Sequence, residues 1–224
     1  MGDGSPARRR AGWLLYAAVQ FCVLTAIAML LYPGGTWFDP NTPHYRFFEN
    51  FLSDLGATRA FSGRPNHVGS AIFCAAMVSI GSALVAFSWS WRSFGFNHGR
   101  ARAAGITSQV AGTLSGLAFV GIGCTPWNLV LAAHNLLVVI AFTMLLAYVA
   151  GITVLLWRNE HPRGRTAANL AYLGVVLGYV VLVLFGPRLS TPTGHHTQVA
   201  GQKLVVYASM IHIGFLTDYV RRRS

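Results

Sequence analysis

Six stretches of this chain are apolar for long enough to cross a bilayer, and that repetition constrains the fold more than any other feature. Crossing a hydrocarbon core of about 30 Å takes about 20 helical residues at about 1.5 Å each. The runs lie at about 11–32, 67–91, 104–123, 131–157, 166–186 and 200–219. Lipid offers no water to an exposed backbone, so runs of this length fold as helices. The expected fold is all-α: one polytopic membrane domain over residues 1–224, a six-transmembrane-helix bundle. Composition agrees, with 10% charged residues and 54% hydrophobic ones, against about 25% charged in a soluble domain. The first run follows MGDGSPARRR, which resembles the start of a signal peptide. The run is too long for a signal and lacks a clear small-residue cleavage site, so it reads as an uncleaved membrane helix.

Arginines orient the bundle. Arg8, Arg9 and Arg10 precede the first run; Arg92, Arg100 and Arg102 lie between the second and third; Arg158, Arg163 and Arg165 lie between the fourth and fifth; Arg221, Arg222 and Arg223 follow the sixth. The alternate connections carry only Arg46, Arg59, Arg64 and Arg188. The positive-inside rule then expects a multi-pass protein of the cell membrane with both termini cytoplasmic. The net charge of +11 is therefore read as lipid-facing, with membrane lipids as partners, and no basic stripe interleaved with aromatics points to nucleic acid. Trp37, Trp89, Trp91, Trp127 and Trp157 fall near expected helix ends, as an aromatic belt does. Cys22, Cys74 and Cys124 fit no disulfide framework and no metal motif, and read as small buried hydrophobes. Gly112, Gly116 and Gly121 suit close helix packing. The connection CTPWNLV, 124–130, is short enough to force the third and fourth helices into an antiparallel hairpin.

The longest connection, 33–66, contains YRFFENFLSDLG at 45–56. Phe47, Phe48, Phe51, Leu52 and Leu55 recur at helical spacing, with Glu49, Asn50, Ser53 and Asp54 between them. The spacing predicts a short amphipathic helix over about 45–55, too short to span, lying in the outer interface and ended by Gly56 at C′. Asp54 would sit in its last turn, where a carboxylate opposes the helix dipole. Either the helix stops earlier or Asp54 has a partner.

Candidate partners share its side of the membrane. Five of the eight histidines, His44, His67, His134, His195 and His196, gather there, with Asn66, Asn128, Asn135, Gln198, Gln202 and Lys203. His98 and His161 lie in the arginine-bearing connections, and His212 lies deeper in the last run. Lys203 is the only lysine of the chain. It either snorkels to headgroups or turns inward onto a carboxylate, with Asp54 the first candidate and Glu49 the second. His134 reads either as an interfacial hydrogen-bonding residue or as a general base. His195 and His196 are adjacent in an expected loop, where neighbouring side chains diverge. With no HxxxH, HExxH or HxH present, no metal or cofactor is expected. No GxSxG elbow occurs.

The segment FFENFLSDLGATRAFSGRPNHVGSAIF, 47–73, resembles the bacterial and archaeal six-helix membrane proteins known as domain of unknown function 998. The matching positions are Asn50, Ser53, Asp54, Leu55, Gly56, Asn66 and Phe73. GIGCTPWNLVLAAHN, with His134, and VAGQKLVVYASMI, with Lys203, fit the same family. Lysine stands where that family often has arginine, and Asn128 where it often has an acid. A more distant similarity is to Frag/DRAM-type membrane proteins, which carry a related signature in the same loop and imply lipids as clients. The alkaline-ceramidase-like hydrolases share a Ser, Asp and His grouping, but their paired histidines on the last helix are missing here.

Three functions are compatible with these residues. One is binding or handling of a lipid or small amphiphile through an outer polar pocket of Asn50, Ser53, Asp54, Asn66, His134 and Lys203. A second is a lipid-directed hydrolase or acyltransferase using Asp54 and His134. A third is a non-catalytic assembly partner for another membrane protein.

Overall fold

A computed structural model describes residues 5–94, 99–158 and 163–223. His98 and His161 lie outside the described residues, as do residues 1–4 and the side chains of Arg92, Arg100, Arg158, Arg163 and Arg223. Six helices account for most of the chain: α1 (Pro6–Leu31), α2 (His67–Ser88), α3 (Gly99–Cys124), α4 (Trp127–Arg158), α5 (Arg163–Phe185) and α6 (Pro192–Arg223). All six are long and apolar enough to cross a membrane. No strand occurs among the described residues. Large apolar side chains such as Leu30, Phe185 and Phe215 stand on the outside, a surface that lipid suits and water does not. The chain is thus an all-α, multi-pass membrane protein.

Helix ends follow local chemistry. The Ser5 hydroxyl accepts the Arg8 N–H at 3.3 Å, and Pro6 opens α1. α6 begins eight residues earlier than its apolar run. Thr191 caps it by accepting the Gly194 N–H at 3.2 Å, and Pro192 follows. Polar residues 193–198 are therefore helical, and hydropathy could not mark them. α4 departs from helical dihedrals at Val130, where the apolar run begins. Its first turn, Trp127 to Leu129, is a separate corner.

Each helix packs on its chain neighbours, and α6 closes against α1. The six helices therefore form a ring. α2 and α3 approach most closely where Gly81 and Gly116 face each other: a Cβ on Gly116 would lie 2.6 Å from the Gly81 carbonyl oxygen. Gly112 and Gly121 serve the same end against Tyr148 and Leu137. Trp91, expected in an aromatic belt, is instead buried and donates from Nε1 to the Tyr148 hydroxyl at 3.3 Å.

Six equal cylinders touching in a ring leave room for a seventh, about 10 Å wide. Side chains fill part of that space. The remainder is a chamber of about 100 Å³. All six helices line it. Its roof is Leu52 and Ser53 of the long loop together with Gln202 of α6. The long loop and the α3–α4 and α5–α6 connections share one end of the ring, and both termini lie at the other.

Candidate functional site

The loop does not form the expected amphipathic helix over 45–55. Residues 47–49 make a turn, Phe51 is extended (φ −67°, ψ 155°), and a 3₁₀ helix runs Leu52–Gly56. Two side chains explain the break. Asn50 Oδ1 accepts the Arg46 N–H at 2.9 Å, and Asp54 Oδ2 accepts the Phe51 N–H at 2.8 Å. Asn and Asp compete for backbone donors in this way and end helices that apolar spacing alone would permit. Asp54 occupies the third position of the short helix, so its charge favours the helix start instead of opposing its end. Gly56 is not a left-handed C′ residue. A Cβ there would strike the Phe73 ring, so glycine is required for packing.

The segment does not lie flat with one wet face. Leu52 and Leu55 are buried, and so are Asn50 and Asp54. Phe47 stays partly exposed and stacks on Tyr207 of α6, while Phe48 is exposed. The loop is pressed into the mouth of the ring as a plug.

Asn50 is the hub of that plug and is fully buried. Its Nδ2 donates to the Gly35 carbonyl at 3.0 Å and to Asp54 Oδ2 at 3.3 Å. Its own carbonyl accepts from Lys203 Nζ at 2.7 Å and from the Tyr45 hydroxyl at 3.1 Å. Lys203 Nζ also donates to the Tyr45 oxygen at 2.7 Å and lies 5.1 Å from the centres of the Tyr45 and Phe47 rings. Burial and the Asp54 charge push the Tyr45 hydroxyl well above its ordinary range, so it stays protonated and donates.

Lys203 therefore turns inward, but it does not pair directly with Asp54. The described ion pairs both belong to Asp218 at the opposite end, with Arg165 and Arg222. Asn50 stands between the two charges and bonds to both. Burial pushes the Asp54 carboxyl up to about 7, partly offset by the bonds from Asn50 and the Phe51 N–H and by the Lys203 charge. The buried Nε1 of the half-buried Trp127 lies close enough to weigh on Asp54 without completing a hydrogen bond.

α6 holds the plug through four side chains. His196 Nδ1 meets the Phe48 carbonyl at 2.9 Å, and His195 Nε2 meets the Glu49 carbonyl at 2.8 Å. Lys203 takes the Asn50 carbonyl, and Gln202 Oε1 accepts the Leu52 N–H at 2.7 Å. A carbonyl only accepts, so both histidines donate from those nitrogens. The buried His195 Nδ1 has no partner among the described residues. His195 is packed among Trp37, Phe38 and Phe51. These two histidines hold the loop. No group of three or more His, Cys, Asp or Glu suited to a metal occurs among the described residues.

The other expected site residues are also engaged. Asn66 is buried and donates to the carbonyls of Leu55 (3.0 Å) and Ala57 (2.9 Å). Asn128 accepts the Thr58 N–H at 3.0 Å and donates to the Thr58 hydroxyl at 2.9 Å. His134 Nδ1 donates to the Thr125 carbonyl at 2.7 Å across the α3–α4 corner, and no hydrogen bond joins it to Asp54 among the described residues. Ser53 lines the roof of the chamber.

A second polar cluster lies at the far end of the chamber, and little in the residue pattern marked it. Thr153 donates to the Val149 carbonyl (2.8 Å), Asn169 Nδ2 donates to the Thr153 oxygen (2.6 Å), and His212 Nε2 meets Asn169 Oδ1 at 2.8 Å. Tyr172 stacks on His212 with ring centres 4.0 Å apart, and its hydroxyl meets Ser209 Oγ at 2.7 Å. Tyr148, Tyr172, Ser209 and His212 all line the chamber. His212 and Leu216 also line a second cavity toward the termini, beside Arg165, Asn169 and Asp218. They form the partition between the two.

No family model, no curated protein and no solved structure matches this chain.

Proposed function

We propose that this protein binds the apolar chain of a membrane lipid or similar amphiphile in the chamber inside its helix ring. The observation that carries the reading is the chamber itself: walls contributed by all six helices, an almost wholly apolar lining, and a few polar groups confined to its two ends. Small-molecule sites are mostly apolar, with a small number of placed polar groups that fix orientation. A bilayer supplies such chains at high concentration. The Asn50, Asp54 and Lys203 group acts in this reading as the fastening of the roof, because the loop's own carbonyls and N–H groups occupy it. Both termini face the cytoplasm and the plug faces outward, on the arginine distribution.

The test is lipid mass spectrometry on the detergent-purified protein, beside a variant with the chamber filled, Val138→Trp. The expected result is a co-purifying amphiphile that the filled variant lacks. Equal lipid content in both would end this reading. Orientation is checked separately in a cysteine-free background. Cysteine at Ser62 or Ser190 is expected to react with an impermeant reagent in intact cells.

A further inference from the structure

The floor cluster becomes informative when its protons are assigned. The Thr153 hydroxyl spends its proton on the Val149 carbonyl, so it accepts from Asn169 Nδ2. Asn169 therefore presents Oδ1 to His212, and an amide oxygen only accepts. His212 Nε2 must carry the hydrogen of that 2.8 Å contact. In the neutral ring Nδ1 then holds a lone pair, and it makes no hydrogen bond among the described residues.

The same reasoning fixes Tyr172 and Tyr148. Ser209 donates to the Val205 carbonyl at 2.6 Å, so Tyr172 donates to Ser209. Tyr148 accepts from Trp91 Nε1, which has only a hydrogen to give. The Tyr148 O–H proton has no acceptor among the described residues. The floor of an apolar chamber thus holds one unclaimed acceptor, His212 Nδ1, and one unclaimed donor, the Tyr148 hydroxyl. Both residues are buried.

Helix lengths place these residues at one level. Tyr148 lies ten residues from the end of α4, Tyr172 nine from the start of α5 and His212 eleven from the end of α6, each about 15 Å from the terminal face at about 1.5 Å per residue.

We infer that the chamber selects a neutral, hydroxyl-bearing long-chain lipid, with its hydroxyl donating to His212 Nδ1 and accepting from Tyr148 at the floor. This rests on the chamber-binding reading above. One donor and one acceptor at the same level of one chamber match an alcohol, which has one of each. Apart from His212, the chamber lining contains no ionisable acid or base of the Asp, Glu, Lys or Arg kind. A phosphate or carboxylate headgroup drawn to the floor would be desolvated without a counter-charge, at heavy cost. The alcohol could belong to a diacylglycerol or to an isoprenoid alcohol, which share the terminal hydroxyl and differ in the chain.

The experiment is native mass spectrometry of the full chain in detergent with equimolar 1-hexadecanol, its methyl ether and palmitate. The alcohol is expected to exceed the ether roughly tenfold, the worth of a well-made hydrogen bond in an apolar site, and palmitate is expected to be lowest. His212→Phe is expected to bring the alcohol down to the level of the ether within the same variant. Should that variant fail to fold, Tyr148→Phe removes the donor, together with the acceptor for Trp91 Nε1, and is expected to cut the preference several-fold. Equal alcohol and ether in the parent protein, a preference for palmitate, or a preference surviving both substitutions would overturn the inference. If alcohol and ether bind equally and Val138→Trp abolishes both, the chamber reading stands and the hydroxyl inference falls. If no probe binds above the level of Val138→Trp, both fall. Parallel titrations with dioleoylglycerol and a twenty-carbon isoprenoid alcohol identify the source, the tighter binder naming the chain type.

Discussion

The two ends of the chamber are built from opposite kinds of polar chemistry. At the roof the groups are charged or strongly polar, and the chain itself occupies them: Lys203 on the Asn50 carbonyl and Tyr45, Asn50 on Gly35 and Asp54, His195 and His196 on successive carbonyls. At the floor the groups are neutral, and two valences stay open. The charged cluster is the one that catches the eye in a sequence, yet apart from His195 Nδ1 and Trp127 Nε1 the loop's own groups fill it, and a cluster filled by the chain is a fastening. An unsaturated neutral one is where a visitor can be held.

Several substitutions can break or sharpen that contrast. Lys203→Met keeps the stem and removes both bonds to the plug. Breaking a buried, hydrogen-bonded charge costs about 3–5 kcal/mol, so a large drop in thermal midpoint is expected. Limited proteolysis is expected to cut within 33–66 in this variant and to spare that loop in the parent protein. A resistant loop in Lys203→Met would mean that the roof is not fastened by charge.

Asp54 gives the next effect through pH. Its carboxyl, pushed up to about 7 by burial, has an unfolded value of about 3.9. Between those values the folded chain keeps a proton that the unfolded chain has lost. Stability therefore falls as pH rises from about 4 to about 7 and levels off above, a change on the order of a few kcal/mol. Asp54→Asn retains an acceptor for the Phe51 N–H and is expected to flatten that slope when unfolding is followed at pH 5.5 and 8.

Asn169→Ala is expected to cost about 1–3 kcal/mol, since it strands His212 and Thr153. The loop of that variant is expected to stay protease-resistant, separating floor from roof. His196→Ala removes one exposed bond to Phe48. It is expected to shift the midpoint by no more than about 1 kcal/mol, and a larger loss would show the plug to hang on its rim.

The sequence made part of this legible. Lys203 and Asp54 stood out because charge in an apolar chain is costly and rare, and both proved to belong to one cluster centred on Asn50. The six runs revealed the helices because lipid demands them. The form of 45–55 was misread because apolar spacing records which residues are buried and not which side chains take the backbone's hydrogens. Asn50 and Asp54 took them. α6 was read too short because its first two turns are polar and face the loop. The chamber and floor were hidden for a different reason. A void depends on side-chain sizes contributed by six separate helices, and Tyr148 and Tyr172 in apolar runs look like any other core aromatic.

α6 joins the two ends in a way that has a mechanical consequence. His195, His196, Gln202 and Lys203 grip the plug near its start, while Ser209 and His212 stand at the floor on the same rod. Gln202 and His212 are about 15 Å apart at about 1.5 Å per residue. The plug is threaded between α1 and α2 but latched to α6. A tilt or slide of α6 that repositions His212 therefore drags the latch with it. The bottom of the chamber and the cover at its top are geared together, with one helix as the shaft.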